Sequence, residues 1–151
     1  MEFLIEKINS CRIAYIRKVG PYGINNIETM DELKMWAKAN NLLNDNTIIY
    51  GIAQDNPQIT KSENCRYDTC IVVPKDYIKT DNNLNNGEIT GGKYVIFRIE
   101  HTSEAIKKTW TEIFPILLKE KLKFDTSRPI LERYAVKMVI KQKCEICLPV
   151  Y

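Results

Sequence analysis

The stretch ILERYAVKMVI (Ile130–Ile140) reads as a β-strand. Side chains alternate between the two faces of a strand, so one face carries Ile130, Glu132, Tyr134, Val136, Met138 and Ile140. The other carries Leu131, Arg133, Ala135, Lys137, Val139 and Lys141. The first face is expected to be buried and the second wet. Glu132 is the single charge on the apolar face, although a wet position lies one residue away. A carboxylate there is an internal ion pair, a rim group turned outward by a bulge, or a seat for a cation from outside.

Outward from this strand, the chain shows one order of elements twice. In the first part, FLIEKI and CRIAYIRKV are extended and GPYG is a turn marked by Gly20, Pro21 and Gly23. A helix follows whose stripe is Ile27, Met30, Leu33, Trp36 and Ala37, at three- and four-residue spacing. Strands are expected at Ile48 to Ala53 and Arg66 to Val73. The Asn- and Asp-rich segment DYIKTDNNLNNGE is read as a loop, centred on residues 76–86. The order then returns: GEITGGKYVIFRIE is extended around a Gly-Gly bend. TSEAIKKTWTEIFPILLKE is a helix with the stripe Ile106, Trp110, Ile113, Phe114 and Leu117, capped by Thr102 or Ser103 and disturbed by Pro115. The opening strand and CEICLPVY complete it. The repeat, at roughly eighty residues, sets Met30 near Trp110 and Ile48 near Ile130. The expectation is one α+β domain over residues 1–151. It is built of two pseudo-symmetric strand-helix-strand-strand modules, 1–75 and 87–151, with antiparallel sheets, two main helices and a central groove suited to a small molecule.

Composition excludes several classes. With 151 residues, 27% charged and 44% hydrophobic, the chain is an ordinary globular one. No apolar run has the length of a membrane span, and MEFLIEKINS lacks the core of a secretory signal; a cytoplasmic location is expected. A net charge of +3 with scattered Lys and Arg does not describe a nucleic-acid surface. Met1 leads at once into a strand, which leaves no room for a recognition helix in front of it and points to a stand-alone domain. Of the five cysteines, Cys144 and Cys147 lie three apart on an extended segment and so on opposite faces. They are read as structural thiols, with no metal and no cofactor expected. His101, the lone histidine, is read as a surface residue.

With the halves in place, the residues resemble the GyrI-like small-molecule-binding domain, found also as the effector-binding domain of multidrug-responsive transcription activators. The matching pieces are Ala14-Tyr15-Ile16-Arg17 with Val19-Gly20-Pro21-Tyr22, Tyr50-Gly51-Ile52 followed by Asp55 and Pro57, and Arg66-Tyr67-Asp68 with Cys70. They continue with Gly91-Gly92-Lys93-Tyr94, Trp110, Leu131-Glu132 with Tyr134, and Ile146, Leu148, Pro149 and Val150. The resemblance implies paired modules around an aromatic-lined pocket with an acid at its floor that receives lipophilic cations. Glu132 matches that acid. HTS before the second helix departs from the turn usual in the family.

A poorly solvated carboxylate gains most from an arriving cation, and aromatic faces add on the order of 0.5–2 kcal/mol each. The candidate ligand-binding residues are therefore Glu132, Tyr134, Tyr50, Tyr67, Trp110, Trp36 and Tyr22; both tryptophans also fit plain core packing. The expected function is binding of hydrophobic, often cationic aromatic molecules, for sensing or sequestration. The alternatives are hydrolysis of strained electrophilic aromatics through Glu132, and a protein-interaction role of the gyrase-inhibitor type.

Overall fold

Both halves open with a pair of strands, and each lends its first strand to the other half. The computed structural model describes residues 1–78 and 83–151, so part of the loop expected at 76–86, residues 79–82, lies outside the described residues. The elements run β1 (Leu4–Ile8), β2 (Cys11–Val19), α1 (Ile24–Ala39), β3 (Ile48–Ala53), β4 (Arg66–Val73), β5 (Asn85–Ile89), β6 (Gly92–Glu100), α2 (Ser103–Lys119), β7 (Leu131–Ala135), α3 (Val136–Val139) and β8 (Lys143–Pro149). A short 3₁₀ turn, Ser62–Asn64, precedes β4. The strands form a single eight-stranded sheet rather than separate sheets, in the order β1-β6-β8-β7-β3-β4-β2-β5, with antiparallel pairing. It curls into a half-barrel.

The register repeats exactly where the halves repeat. Tyr15↔Cys70 and Ala53↔Tyr67 in the first half recur as Tyr94↔Pro149 and Glu132↔Ile146 in the second, each residue 79 positions later. The twofold axis runs between β3 and β7, which join the halves at the centre of the order.

Both faces of the curled sheet are covered. Leu33 and Ala37 of α1 pack on Ala14, Ile49 and Ile71; Ile113 and Leu117 of α2 pack on Val95, Phe97, Ile146 and Leu148. The inner face closes over Ile13, Tyr50, Ile52, Cys70, Tyr94, Ile96, Leu131 and Cys147. Each large side chain so buried contributes about 1.5–3 kcal/mol. The helix stripes are narrower than expected. Ile27 is exposed, Phe114 is partly exposed against Phe124, and the buried positions are Thr29-Leu33-Ala37 and Thr109-Ile113-Leu117. Thr102 caps α2 by accepting the Ala105 N–H, and the helix continues through Pro115. No helix of the described residues is long and apolar enough to cross a membrane.

The opening stretch departs from its reading in two ways. It is a strand only as far as Ala135, then turns into α3. The reason is a shortage of partners: Ala135 pairs with Ile48, the first residue of β3, and the Val136 N–H bonds to the carbonyl of Thr47 beyond the strand end. Nor does β7 have a wet face. Leu131 is 0% exposed and the Arg133 side chain only 11%, because the inner face of a curled sheet is a second core. Arg133 sits there between Glu6 of β1 and Glu145 of β8, at 2.9 and 2.8 Å.

Candidate functional site

Glu132 projects from β7 on the face that carries the helices, beside Gly51 of β3 on one side and Ile146 of β8 on the other. The Tyr67 hydroxyl, from β4, donates to its Oε1 at 2.7 Å. Tyr67 can reach so far because the residue between them has no side chain. A Cβ on Gly51 would overlap the Tyr67 hydroxyl and stand 3.0 Å from Glu132 Oε1. Tyr134, two residues along the same face, bonds to the carboxylate as well and packs against both helix-side clusters. The site is thus assembled across the twofold axis, with Tyr67 from one half and Glu132 and Tyr134 from the other.

Burial pushes the Glu132 carboxyl pKa up, and the hydrogen bonds from Tyr67 and Tyr134 only partly offset this. The phenols of Tyr67 and Tyr134 are raised as well, first by burial and then by the neighbouring carboxylate. Glu132 is packed on most sides, yet part of its surface stays accessible. It differs from the other deeply placed acids. Asp68 is held by Arg17 at 2.7 and 2.8 Å, Glu145 by Arg133 and Arg98, and Asp125 by Arg128. Among the described residues, Glu132 forms no ion pair, and no cationic side chain contributes to its titration.

Further rings flank the group formed by Glu132, Tyr67 and Tyr134. Tyr22 lies edge-on to Tyr67, with ring centroids 6.1 Å apart; its hydroxyl donates to the Arg66 carbonyl at 2.8 Å and accepts the Asp55 N–H at 3.1 Å, which ties the GPYG turn to the β3–β4 connection. At the other end, the His101 ring stands 5.3 Å from that of Tyr134. Burial, then the charge of Lys34 on α1, holds the His101 pKa below its usual value. His101 is exposed, as its reading as a surface residue expected; a turn residue carries no periodicity that could have signalled the contact with Tyr134.

Of the remaining candidates, Trp36 and Trp110 belong to the helix-side clusters that Tyr134 also packs against, and Tyr50 lies on the other face. Tyr50, adjacent to Gly51, points to the inner face, where burial raises its phenol to about 12 against the opposing charge of Arg133. Trp36 packs under α1 against Tyr77 with ring centroids 6.1 Å apart, and Trp110 joins the α2 cluster. The structure therefore brings together Glu132, Tyr134, Tyr67 and Tyr22, and separates Tyr50 from them. Cys144 packs on the α2 side and Cys147 on the inner side. Among the described residues, no cluster of three or more His, Cys, Asp or Glu side chains is arranged to hold a metal ion. A cleft of about 270 Å³ on the inner face, lined by Ile13, Tyr15, Arg17 and Asp68, does not include Glu132.

With this geometry in hand, comparison with known proteins places the chain. A model of the GyrI-like small molecule binding domain matches residues 1–151. The SPbeta prophage-derived YosT of Bacillus subtilis (strain 168), named for a role in transcriptional regulation, is 39% identical over 151 residues, covering 99% of both chains. A DNA gyrase inhibitor of Salmonella arizonae is 28% identical over 138 residues, 89% of this chain and 86% of that one. Among solved structures, the EcmrR C-terminal domain superposes with a TM-score of 0.77 at 15% identity, covering 99% of this chain and 97% of that domain. In the EcmrR–DNA complex the same match spans 57% of the EcmrR chain. The structure of SAV2435 bound to tetraphenylphosphonium gives a TM-score of 0.59 at 15% identity, covering 100% of this chain and 94% of that one.

Proposed function

The chain belongs to the GyrI-like small-molecule-binding family, and from that premise we propose that it binds hydrophobic, cationic aromatic molecules in a recess above Glu132, as a sensing or sequestering protein. The observation that carries the reading is the unpaired state of Glu132. A carboxylate removed from water costs free energy unless a charge or hydrogen bonds compensate it, and arginine supplies that compensation at Asp68, Glu145 and Asp125. At Glu132 two phenols supply only part of it. A cation that enters the recess supplies the rest, and the Tyr67, Tyr134 and Tyr22 rings offer it π-faces. SAV2435, of the same fold, has been seen with one such cation.

Paired titrations test this: a planar cationic dye against a neutral molecule of the same shape, followed by fluorescence and thermal shift. The cation should bind more tightly, and Glu132→Gln should weaken it by about one to two powers of ten, equivalent to about 1.4–3 kcal/mol. The preference should also fade as pH falls through the raised pKa of Glu132, since the protonated acid no longer attracts a cation. Equal affinity for charged and neutral analogues would overturn the proposal. Turnover of an electrophilic aromatic in the same assay would transfer the recess to the hydrolase reading.

A further inference from the structure

His101, the one histidine of the chain, stands exposed in the turn before α2, where its backbone N–H donates to the Gln142 carbonyl at 2.8 Å. Its ring centroid lies 5.3 Å from that of Tyr134, with the two planes tilted by 46°. Tyr134 in turn hydrogen-bonds to the Glu132 carboxylate. Ring size and hydrogen-bond length together hold the imidazole within roughly 12 Å of that carboxylate.

Histidine is the side chain that ordinarily changes charge between about pH 5 and 8. Partial burial of the ring and the charge of Lys34 on α1 both favour the neutral imidazole. On the flanks of the turn, Glu100 is engaged by Lys143 of β8, and Glu104 lies in the first turn of α2. From β7, Tyr134 faces the ring and Glu132 stands behind it. At neutral pH the imidazole is thus an uncharged ring beside Tyr134, and in mild acid it becomes a cation there.

The two states present an arriving cation with different neighbours. The neutral ring continues the aromatic group of Tyr22, Tyr67 and Tyr134. Once protonated, the imidazole lies within the roughly 6 Å at which an aromatic face attracts a cation, so it competes for Tyr134 with the ligand. It also repels a like charge held at Glu132. Over about 10 Å at low ionic strength that repulsion amounts to about two- to fivefold in affinity.

Resting on the proposed cation-binding role of Glu132, we infer that His101 is a specificity-determining residue of that site: neutral, it admits aromatic cations, and protonated, it discriminates against them without affecting neutral aromatics of the same shape.

A fixed charge at this position tests the inference at a single pH. 10-Methylacridinium, a permanent planar cation, and acridine, its neutral counterpart at about pH 8, are titrated by fluorescence at low ionic strength into His101→Phe and His101→Lys. His101→Lys should bind the cation about two- to fivefold more weakly than His101→Phe, and acridine equally well. In the unmodified protein, affinity for the cation relative to His101→Phe should fall by a similar factor between about pH 8 and pH 5.5; Glu132 is common to both proteins and cancels in the ratio. Equal binding of the cation by the two folded variants, or a ratio that stays flat with pH, would overturn this inference and leave the cation-binding role standing. So would a parallel loss of acridine binding in His101→Lys, which would mark an effect of shape. Failure of the cation to bind any of the three proteins would overturn both.

Discussion

Replacing Gly51 by alanine tests how the site is built. The added methyl carbon would overlap the Tyr67 hydroxyl and lie 3.0 Å from Glu132 Oε1. Tyr67 must therefore rotate away, and its 2.7 Å bond to the carboxylate is lost. A hydrogen bond to a charged group contributes about 1.5–3 kcal/mol. Tyr67 is 7% exposed in place, and uncovering ~40 Å² of its ring would cost about 1 kcal/mol more. In the opposite direction, a glycine without left-handed backbone returns about 0.4–1 kcal/mol when alanine restricts the unfolded chain, and Gly51 is not among the positive-φ glycines. The balance is a loss of about 2–3 kcal/mol, which lowers the melting temperature of a chain this size by roughly 4–12 °C. The measurement is a pair of thermal melts, Gly51→Ala alone and in a Tyr67→Phe background. With the phenolic oxygen already gone, the second substitution should cost about 1 kcal/mol or less, so the two changes are strongly non-additive. Equal costs in both backgrounds would refute the account of Gly51 as the gap through which Tyr67 reaches Glu132.

Because burial raises the folded-state pKa of Glu132 above the unfolded value of about 4.3, the group favours the fold in acid. That contribution is lost as pH rises through the folded pKa. Glu132→Gln should thus melt at or above the temperature of the unmodified protein at neutral pH, with the gap narrowing as pH falls; a clear destabilisation at neutral pH would instead mark an internal ion pair. Arg133→Met should lose about 3 kcal/mol in a denaturant melt, because it strands Glu145, 2% exposed, with only the exposed Arg98 as partner. A second change, Glu145→Gln, should recover part of that loss, and its failure to do so would show that the arginine acts through packing alone.

The alternation of Ile130, Glu132 and Tyr134 was enough to single out the carboxylate, because strand faces are a local property of the chain. The repeat of about eighty residues was legible for a similar reason: it needs only the order of elements, and the strand register sets it at 79. What local pattern could not supply was the register between distant strands. That Gly51 opens a path from Tyr67 to Glu132 depends on β3, β4 and β7 lying side by side. The same neighbours send Tyr50 to the inner face, although its aromatic character made it as eligible as Tyr67. The end of β7 was misjudged because a short apolar alternation such as VKMVI fits a helical turn as well as a strand, and the lack of a partner beyond Ile48 decides between them. Arg133 was assigned to water because a flat sheet with helices on one face would leave it there, whereas curling makes an interior of that side.

The exchange of first strands has a consequence for how the chain holds together. β1 closes the edge of β6, and β5 closes the edge of β2, so each half is finished by a strand borrowed from the other. This is the geometry of a domain-swapped dimer whose two subunits have been joined into one polypeptide. Such a pair cannot be severed into two working pieces: either half alone would bare an unpaired strand edge that only a second half could cover. Fusion also frees the subunits from identity. At the positions equivalent to Glu132 and Tyr67, 79 residues away, the chain carries Ala53 and Ile146, so one frame with two seats has kept a charge in only one of them.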